Sequence, residues 1–164
     1  MDIKIREYTE KDLLFVKSSF ENLHDYVVSI DPIKRIRKMP GYLEVFFGKF
    51  VNNIKNNQGK IYISEFEGKP IGFVGGFVAD KQSEENLLEV IPSQLGIISD
   101  IYTIPEYRGK KIGGRLIKQI EEYLVSKNCD AIWINTNGFN TSALRLYKSI
   151  GFSEREIGLM KKIK

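Results

Sequence analysis

Residues 107–116 read Tyr107-Arg108-Gly109-Lys110-Lys111-Ile112-Gly113-Gly114-Arg115-Leu116, with three glycines, four fixed positive charges and no acid. An apolar run interrupted by Pro105 precedes them, and from Ile112 onward Leu116, Ile120, Tyr123 and Leu124 recur at the spacing of one helix face. The order is therefore strand, glycine turn, helix. The first turn of a helix carries unpaired N–H groups and about half a positive charge. Small residues let an anion reach those N–H groups, and successive amides form a nest around it. This stretch predicts phosphate seated at the start of a helix over Gly109–Lys127, with Lys110, Lys111 and Arg115 adding attraction. The plainer alternative is a helix start whose glycines serve packing and whose lysines are solvated.

Outward from this stretch, strands and helices alternate. Ile3, Ile5 and Tyr8 set a first strand, and Thr9 caps a helix from Glu10 to Asn22 or beyond, with Leu13, Leu14, Val16, Phe20 and Leu23 facing inward. A charged connector at 31–40 leads to a second helix from Tyr42 to about Ile54. Strands follow over Lys60–Phe66 and Pro70–Ala79, joined by Glu67-Gly68-Lys69, a hairpin signal. Gly72, Gly75 and Gly76 inside the second of these suit close packing or a bulge. A strand over Leu95–Thr103, the helix after the glycine turn, a strand over Ala131–Thr136, a helix over Asn140–Ile150 and a last strand over Gly158–Ile163 complete the chain. Hairpins mixed with helical crossovers imply a mixed sheet covered by helices on both faces.

Composition excludes several classes. The 164 residues fit a single domain over 1–164, and 42% hydrophobic with 28% charged residues is an ordinary globular balance. No apolar run approaches a membrane span, and the N-terminal residues lack the core of a signal peptide. Cys129 is the single cysteine and His24 the single histidine, which points to a cytoplasmic protein with no metal site and no histidine-based triad. The formal charge of +4 lies mostly in the second half, but the basic cluster lacks interleaved aromatics or a nucleic-acid motif, so no nucleic acid is expected. Two phosphate motifs fail: Gly109–Gly114 is followed by Arg115-Leu116 instead of Lys-Ser/Thr, and the glycines of 72–76 do not open a helix.

The stretch Asp100-Ile-Tyr-Thr-Ile-Pro-Glu-Tyr-Arg-Gly-Lys-Lys-Ile-Gly-Gly-Arg-Leu-Ile117, followed by Asn140-Thr-Ser-Ala-Leu-Arg-Leu-Tyr-Lys-Ser-Ile-Gly-Phe152, resembles the GNAT superfamily of N-acetyltransferases. The phosphate signature, Arg/Gln-x-x-Gly-x-Gly/Ala, reads Arg108-Gly109-Lys110-Lys111-Ile112-Gly113, and the later element is matched by Asn140, Ala143, Tyr147, Gly151 and Phe152. Three features depart from the pattern: Lys111 replaces a glycine, Asn135 stands where some relatives carry a glutamate base, and the tail after Phe152 is short.

The resemblance implies an α/β (α+β) fold: a mixed, mostly antiparallel central sheet of six to seven strands, splayed into a V-shaped cleft. It implies acetyl-CoA as cosubstrate, with a primary amine of a small molecule or protein as acceptor. Ile101, Tyr102 and Thr103 would present backbone groups to the pantetheine arm, Arg108, Gly109, Lys110, Lys111, Ile112, Gly113 and Gly114 would take the pyrophosphate, and Asn140 would contact the cosubstrate. Tyr147 would protonate the departing thiolate, while Asp100, the carboxylate nearest the expected bulge, would hold or deprotonate the amine. Tyr26, Asp31, Tyr42 and Glu44 are candidates for the acceptor side. A homodimer is compatible with this reading. The alternative is a CoA-binding module on the same fold that does not turn over.

Overall fold

The computed structural model describes residues 1–163. Its strands are β1 (Lys4–Glu7), β2 (Lys60–Phe66), β3 (Lys69–Val78), β4 (Leu95–Thr103) and β5 (Ala131–Ile134). Its helices are α1 (Leu13–Ile30), α2 (Tyr42–Asn56), α3 (Ile112–Ser126) and α4 (Thr141–Ser149). The sheet runs β1-β2-β3-β4-β5, antiparallel from β1 to β4, with β5 parallel to β4. Parallel pairing needs a crossover, and α3 supplies it.

Five strands among the described residues correct the expected six to seven. The strand expected over Gly158–Ile163 is absent, and its apolar side chains are bare to solvent, Leu159 at 93%. The cause lies in the local pattern: Leu159 and Met160 are adjacent and two lysines follow, so no face alternates. The first helix also begins later than expected. Glu10–Asp12 is a 3-10 turn, and α1 then continues to Ile30. Val16 and Phe20 are buried as expected, but Leu14 is 79% exposed because it falls off the stripe that Val16, Ser19 and Phe20 set. Asp12 anchors this junction. Its carboxylate accepts from the Thr9 amide at 2.8 Å and pairs with Arg6 at 2.7 Å, and that guanidinium holds it at about 2.

One core layer lies on each face of the sheet. Phe20 and Phe50 from α1 and α2 pack over Ile63, Phe73 and Tyr102. Ile112, Leu116, Ile117, Ile120 and Leu124 from α3 pack over Val74 and Ile98 on the other side. Adjacent glycines of β3 admit both layers at one level. A side chain at Gly75 would strike the Phe50 ring at 2.4 Å, and one at Gly76 would strike Ile120 at 2.8 Å.

Candidate active site

The site grows from an irregularity in β4. Gly75 faces Asp100 and Gly76 faces Ile98, so Ser99 is an extra residue with no partner on β3. Such a bulge shifts the facing of everything after it. Ile98 belongs to the α3-side core, whereas Tyr102 belongs to the α1/α2-side core. Pairing with β5 also stops here, since Ile98↔Ile134 is its last rung. From Ser99 to Thr103 the strand has a neighbour on one side only. The Ile104 amide donates to the Ile71 carbonyl at 3.0 Å. By the alternation of a strand, Tyr102 pairs toward β3, while the backbone groups of Ile101 and Thr103 aim at the open side.

That open side is a cleft of about 400 Å³. Ile101, Tyr102 and Thr103 form one wall, Arg108, Gly109, Lys111, Ile112, Gly113 and Gly114 its end, and Asn140 and Tyr147 the opposite wall. Eleven residues singled out in the sequence thus meet in one cavity; Lys110 does not line it and lies over the Tyr107 ring at 4.7 Å.

The start of α3 has the character of an anion seat. No side chain caps it, and its first turn carries no acid. Gly109 and Lys111 are both left-handed, at φ 77° and 60°. A lysine there is strained relative to glycine, so the departure from the family glycine at Lys111 carries a backbone cost. Gly113 faces α4, where an added Cβ would lie 2.9 Å from Leu146. Arg115 does not line the cleft; its guanidinium donates to the Ile3 carbonyl at 2.7 Å. Arg108 also turns aside. Its Nε donates to the Thr103 carbonyl at 3.1 Å, and its guanidinium rests on the rings of Tyr26 and Tyr102.

α4 begins differently. Asn140 is buried, and its Oδ1 accepts from the Ala143 amide at 3.3 Å and from the Ser142 hydroxyl at 3.0 Å. Seven residues on, Tyr147 is buried against Phe152 and reaches the same cleft. Burial, reinforced by the charge of Asp100, pushes its hydroxyl up to about 12. The Asp100 carboxyl itself is pushed up to about 6 by desolvation, partly opposed by a hydrogen bond from Ser99. Asp100 does not line the 400 Å³ cleft. By alternation with Tyr102 it stands on the α1/α2 side of β4, and its charge helps burial to raise Tyr42 at the start of α2. A weakened acid and a strongly protonated phenol therefore flank the bulge from opposite sides.

The acceptor-side candidates separate. Tyr42 stacks on His24 with ring centroids 3.8 Å apart. Asp31 is spent on its own loop, where its buried carboxylate accepts from the amides of Ile33, Arg35 and Ile36. Glu44 is exposed on α2. Tyr26 lines the cleft beside Arg108, and Leu23, Ser142 and Leu146 join it there. Sequence reading missed those last three, although Ser142 sits two residues after the cap of α4. Asn135 lines a neighbouring groove outside β5, together with Trp133 and Phe152.

The Acetyltransferase (GNAT) family profile matches residues 24–152. An uncharacterised N-acetyltransferase of Methanocaldococcus jannaschii is 26% identical over 107 residues, 63% of this chain but only 43% of that relative's length. A tetramutant of the BH1408 protein from Bacillus halodurans superposes with a TM-score of 0.81 at 20% identity, covering 98% of this chain and 99% of that one. The aminoglycoside N-acetyltransferase AAC(6')-Iy, solved in complex with CoA, superposes with a TM-score of 0.68 at 16% identity, covering 98% and 99%. Both likenesses establish a shared fold.

Proposed function

The chain belongs to the GNAT acetyltransferase family, and from that premise we propose that it is an N-acetyltransferase that moves the acetyl group of acetyl-CoA onto a primary amine by direct attack in a ternary complex. One observation carries the reading. The strand edge left open beyond Ile98 and the uncapped start of α3 share a single cleft. A ligand with an amide-bearing arm and a pyrophosphate satisfies both at once, the arm as an added strand and the phosphates at the helix amides.

Acetyl-CoA supplies a thioester carbonyl open to attack by a neutral amine. Ile101 and Thr103 hold the arm through their backbone, while the backbone of Tyr102, expected to join them, is taken by the ladder with β3; the N–H groups of the open edge are the donors available to negative charge on the carbonyl oxygen. Gly109, Lys111, Ile112, Gly113 and Gly114 take the pyrophosphate through backbone amides. Arg108 and Lys110, both resting on aromatic rings, add charge to the neighbourhood. Asn140 orders the start of α4 and contacts the ligand from the opposite wall.

Asp100 accepts a proton from the incoming ammonium, directly or through water. Its raised pKa suits that exchange near neutrality better than an ordinary aspartate would. Tyr147, protonated throughout the physiological range, gives its hydroxyl proton to the departing sulfur. The acceptor lies toward α1 and α2, where the charge of Asp100 reaches Tyr42.

The test is calorimetry with CoA, followed by a panel of small amines, aminoglycosides, lysine peptides and peptide N-termini with acetyl-CoA, read by free-thiol release. Micromolar CoA binding with amine-dependent release is expected. Absence of CoA binding overturns the reading; binding without release from any amine supports the non-catalytic module instead.

A further inference from the structure

Tyr26 stands apart from both core layers and touches both sides of the cleft. The Arg108 guanidinium lies 5.3 Å from its ring centroid, and its hydroxyl is 3.5 Å from the Ser142 hydroxyl at the start of α4. Each partner is itself fixed. Arg108 is tied to the Thr103 carbonyl at 3.1 Å and rests on the Tyr102 ring, while Ser142 donates to Asn140 at 3.0 Å. Contacts therefore run unbroken from β4 through Arg108 to α1 and on to α4. They cross the cleft where the strand edge and the helix start meet. Leu23, one turn earlier on α1, lines the same cavity.

We infer that Tyr26 is a positioning residue for the cosubstrate: a strut that closes the cleft over the pantetheine arm. The inference rests on the acetyl-CoA reading above. An arm laid along Ile101–Thr103 lies beneath this strut, so the strut has to swing aside for the arm to enter or leave. Its two contacts suit that duty. A partly exposed cation–π contact is weak, and a hydroxyl pair at the long end of hydrogen-bond distance is weaker than a typical hydrogen bond. Together they break on the timescale of a catalytic cycle while still biasing the closed form. Because Tyr26 belongs to α1, closing over the cosubstrate also sets the helix that borders the acceptor side.

A strut and an ordinary binding contact differ in kinetics. A contact made only in the complex raises the dissociation rate when deleted and leaves association alone. A strut obstructs both directions. Stopped-flow measurement of CoA binding to wild type, Tyr26→Ala and Ser142→Ala is therefore the test. Tyr26→Ala should raise association and dissociation rates each at least threefold, while Kd moves less than either. Ser142→Ala, which cuts the far contact and keeps the ring on Arg108, should move both rates in the same direction by a smaller factor. Because Ser142 is exposed and Asn140 keeps its bond from the Ala143 amide when that hydroxyl is gone, this variant keeps the test valid if Tyr26→Ala lowers Tm. A rise in dissociation alone, or two unchanged rates, would overturn the strut while leaving the acetyl-CoA reading intact. Failure of the wild type to bind CoA overturns both.

Discussion

The two halves of β4 are four residues each, separated by Ser99, and they live in different surroundings. Leu95–Ile98 pairs with β5 throughout and with β3 from Gly96 on, and Ile98 is sealed beneath α3. Asp100–Thr103 is paired with β3 alone. Its far side opens on a cleft, and its first residue is a carboxylate. One extra residue makes the difference, because the bulge both re-aims the side chains and parts the strand from β5. The closed half earns its place by burial. The open half turns backbone groups of Ile101 and Thr103 away from the ladder, which would be a liability on an unguarded edge; here the Thr103 carbonyl takes Arg108, and the edge is walled in by α3, α4 and Tyr26. Burial and an open backbone edge are thus segregated along one strand.

The most damaging way to probe this division is on the closed half. Ile98→Ala should cost 2–5 kcal/mol of stability in urea denaturation, the usual range for emptying a sealed site. CoA affinity per folded molecule should stay within twofold. A loss under about 1 kcal/mol would mean that the closed half is less essential than its burial implies.

On the cleft wall the signs reverse. Tyr147→Phe keeps the ring against Phe152 and removes the proton donor, so kcat should fall about 10²-fold with CoA affinity nearly unchanged. Equal kcat would reduce Tyr147 to packing. The melting temperature should be read alongside, since a buried hydroxyl can contribute about 1 kcal/mol by itself.

Asp100→Asn tests the first residue of the open half. Its kcat/KM should fall about 10²-fold, the lower end for proton-transfer groups. In the wild type, kcat/KM should rise with pH through about 6 as the carboxyl ionises, and the variant should lose that limb. Stability should move the other way. The folded carboxyl is raised from 3.8 to about 6, so the native state holds this proton more tightly than the unfolded chain does. That stabilisation is complete below the unfolded value and is lost as pH rises through about 6. At pH 7 the variant should therefore melt above the wild type, with the gap closing near pH 4. A variant that is no more stable at pH 7 would show that the carboxylate is well solvated.

The smallest expected effect lies at the end of the cleft. Gly114 has room, since an added Cβ meets nothing closer than Ile150 at 3.9 Å. Gly114→Asp should weaken CoA by about tenfold, roughly 1.4 kcal/mol. The fold should be unharmed or slightly more stable, because an acid in the first turn complements the helix dipole. Weakened binding together with an unfolded protein would point to packing instead of charge.

Much of this division could be read in the sequence, for identifiable reasons. The apolar run between polar loops delimits β4 at Leu95 and Thr103, and a strict 3.6 period marks the buried face of α3, although the helix starts at Ile112 and not at the expected Gly109, because Gly109 and Lys111 are left-handed. The glycine turn stands out because three glycines and four cations lead into the helix, a pattern that fits an anion seat as well as plain packing. Long-range partners carry no local signal. Arg115 reaches the Ile3 carbonyl across 112 positions, and Asp31 is consumed by three amides of its own loop. Their charges looked available until the fold assigned them. The tail after Phe152 failed for the opposite reason, since its apolar content suggested a strand where the alternation was missing.

The open half of β4 also sets adjacent amides on different clocks. The Tyr102 N–H points into the ladder with β3, whereas those of Ile101 and Thr103 point into the cleft. In deuterated water the ladder amide exchanges only when the sheet opens, while its two neighbours exchange from the intact native state. A ligand that lies along the edge as an added strand would slow the fast pair and leave the slow one alone. One tyrosine between two exchangeable neighbours thus gives the strand an internal reference for occupancy, readable without label, enzyme assay or knowledge of the acceptor.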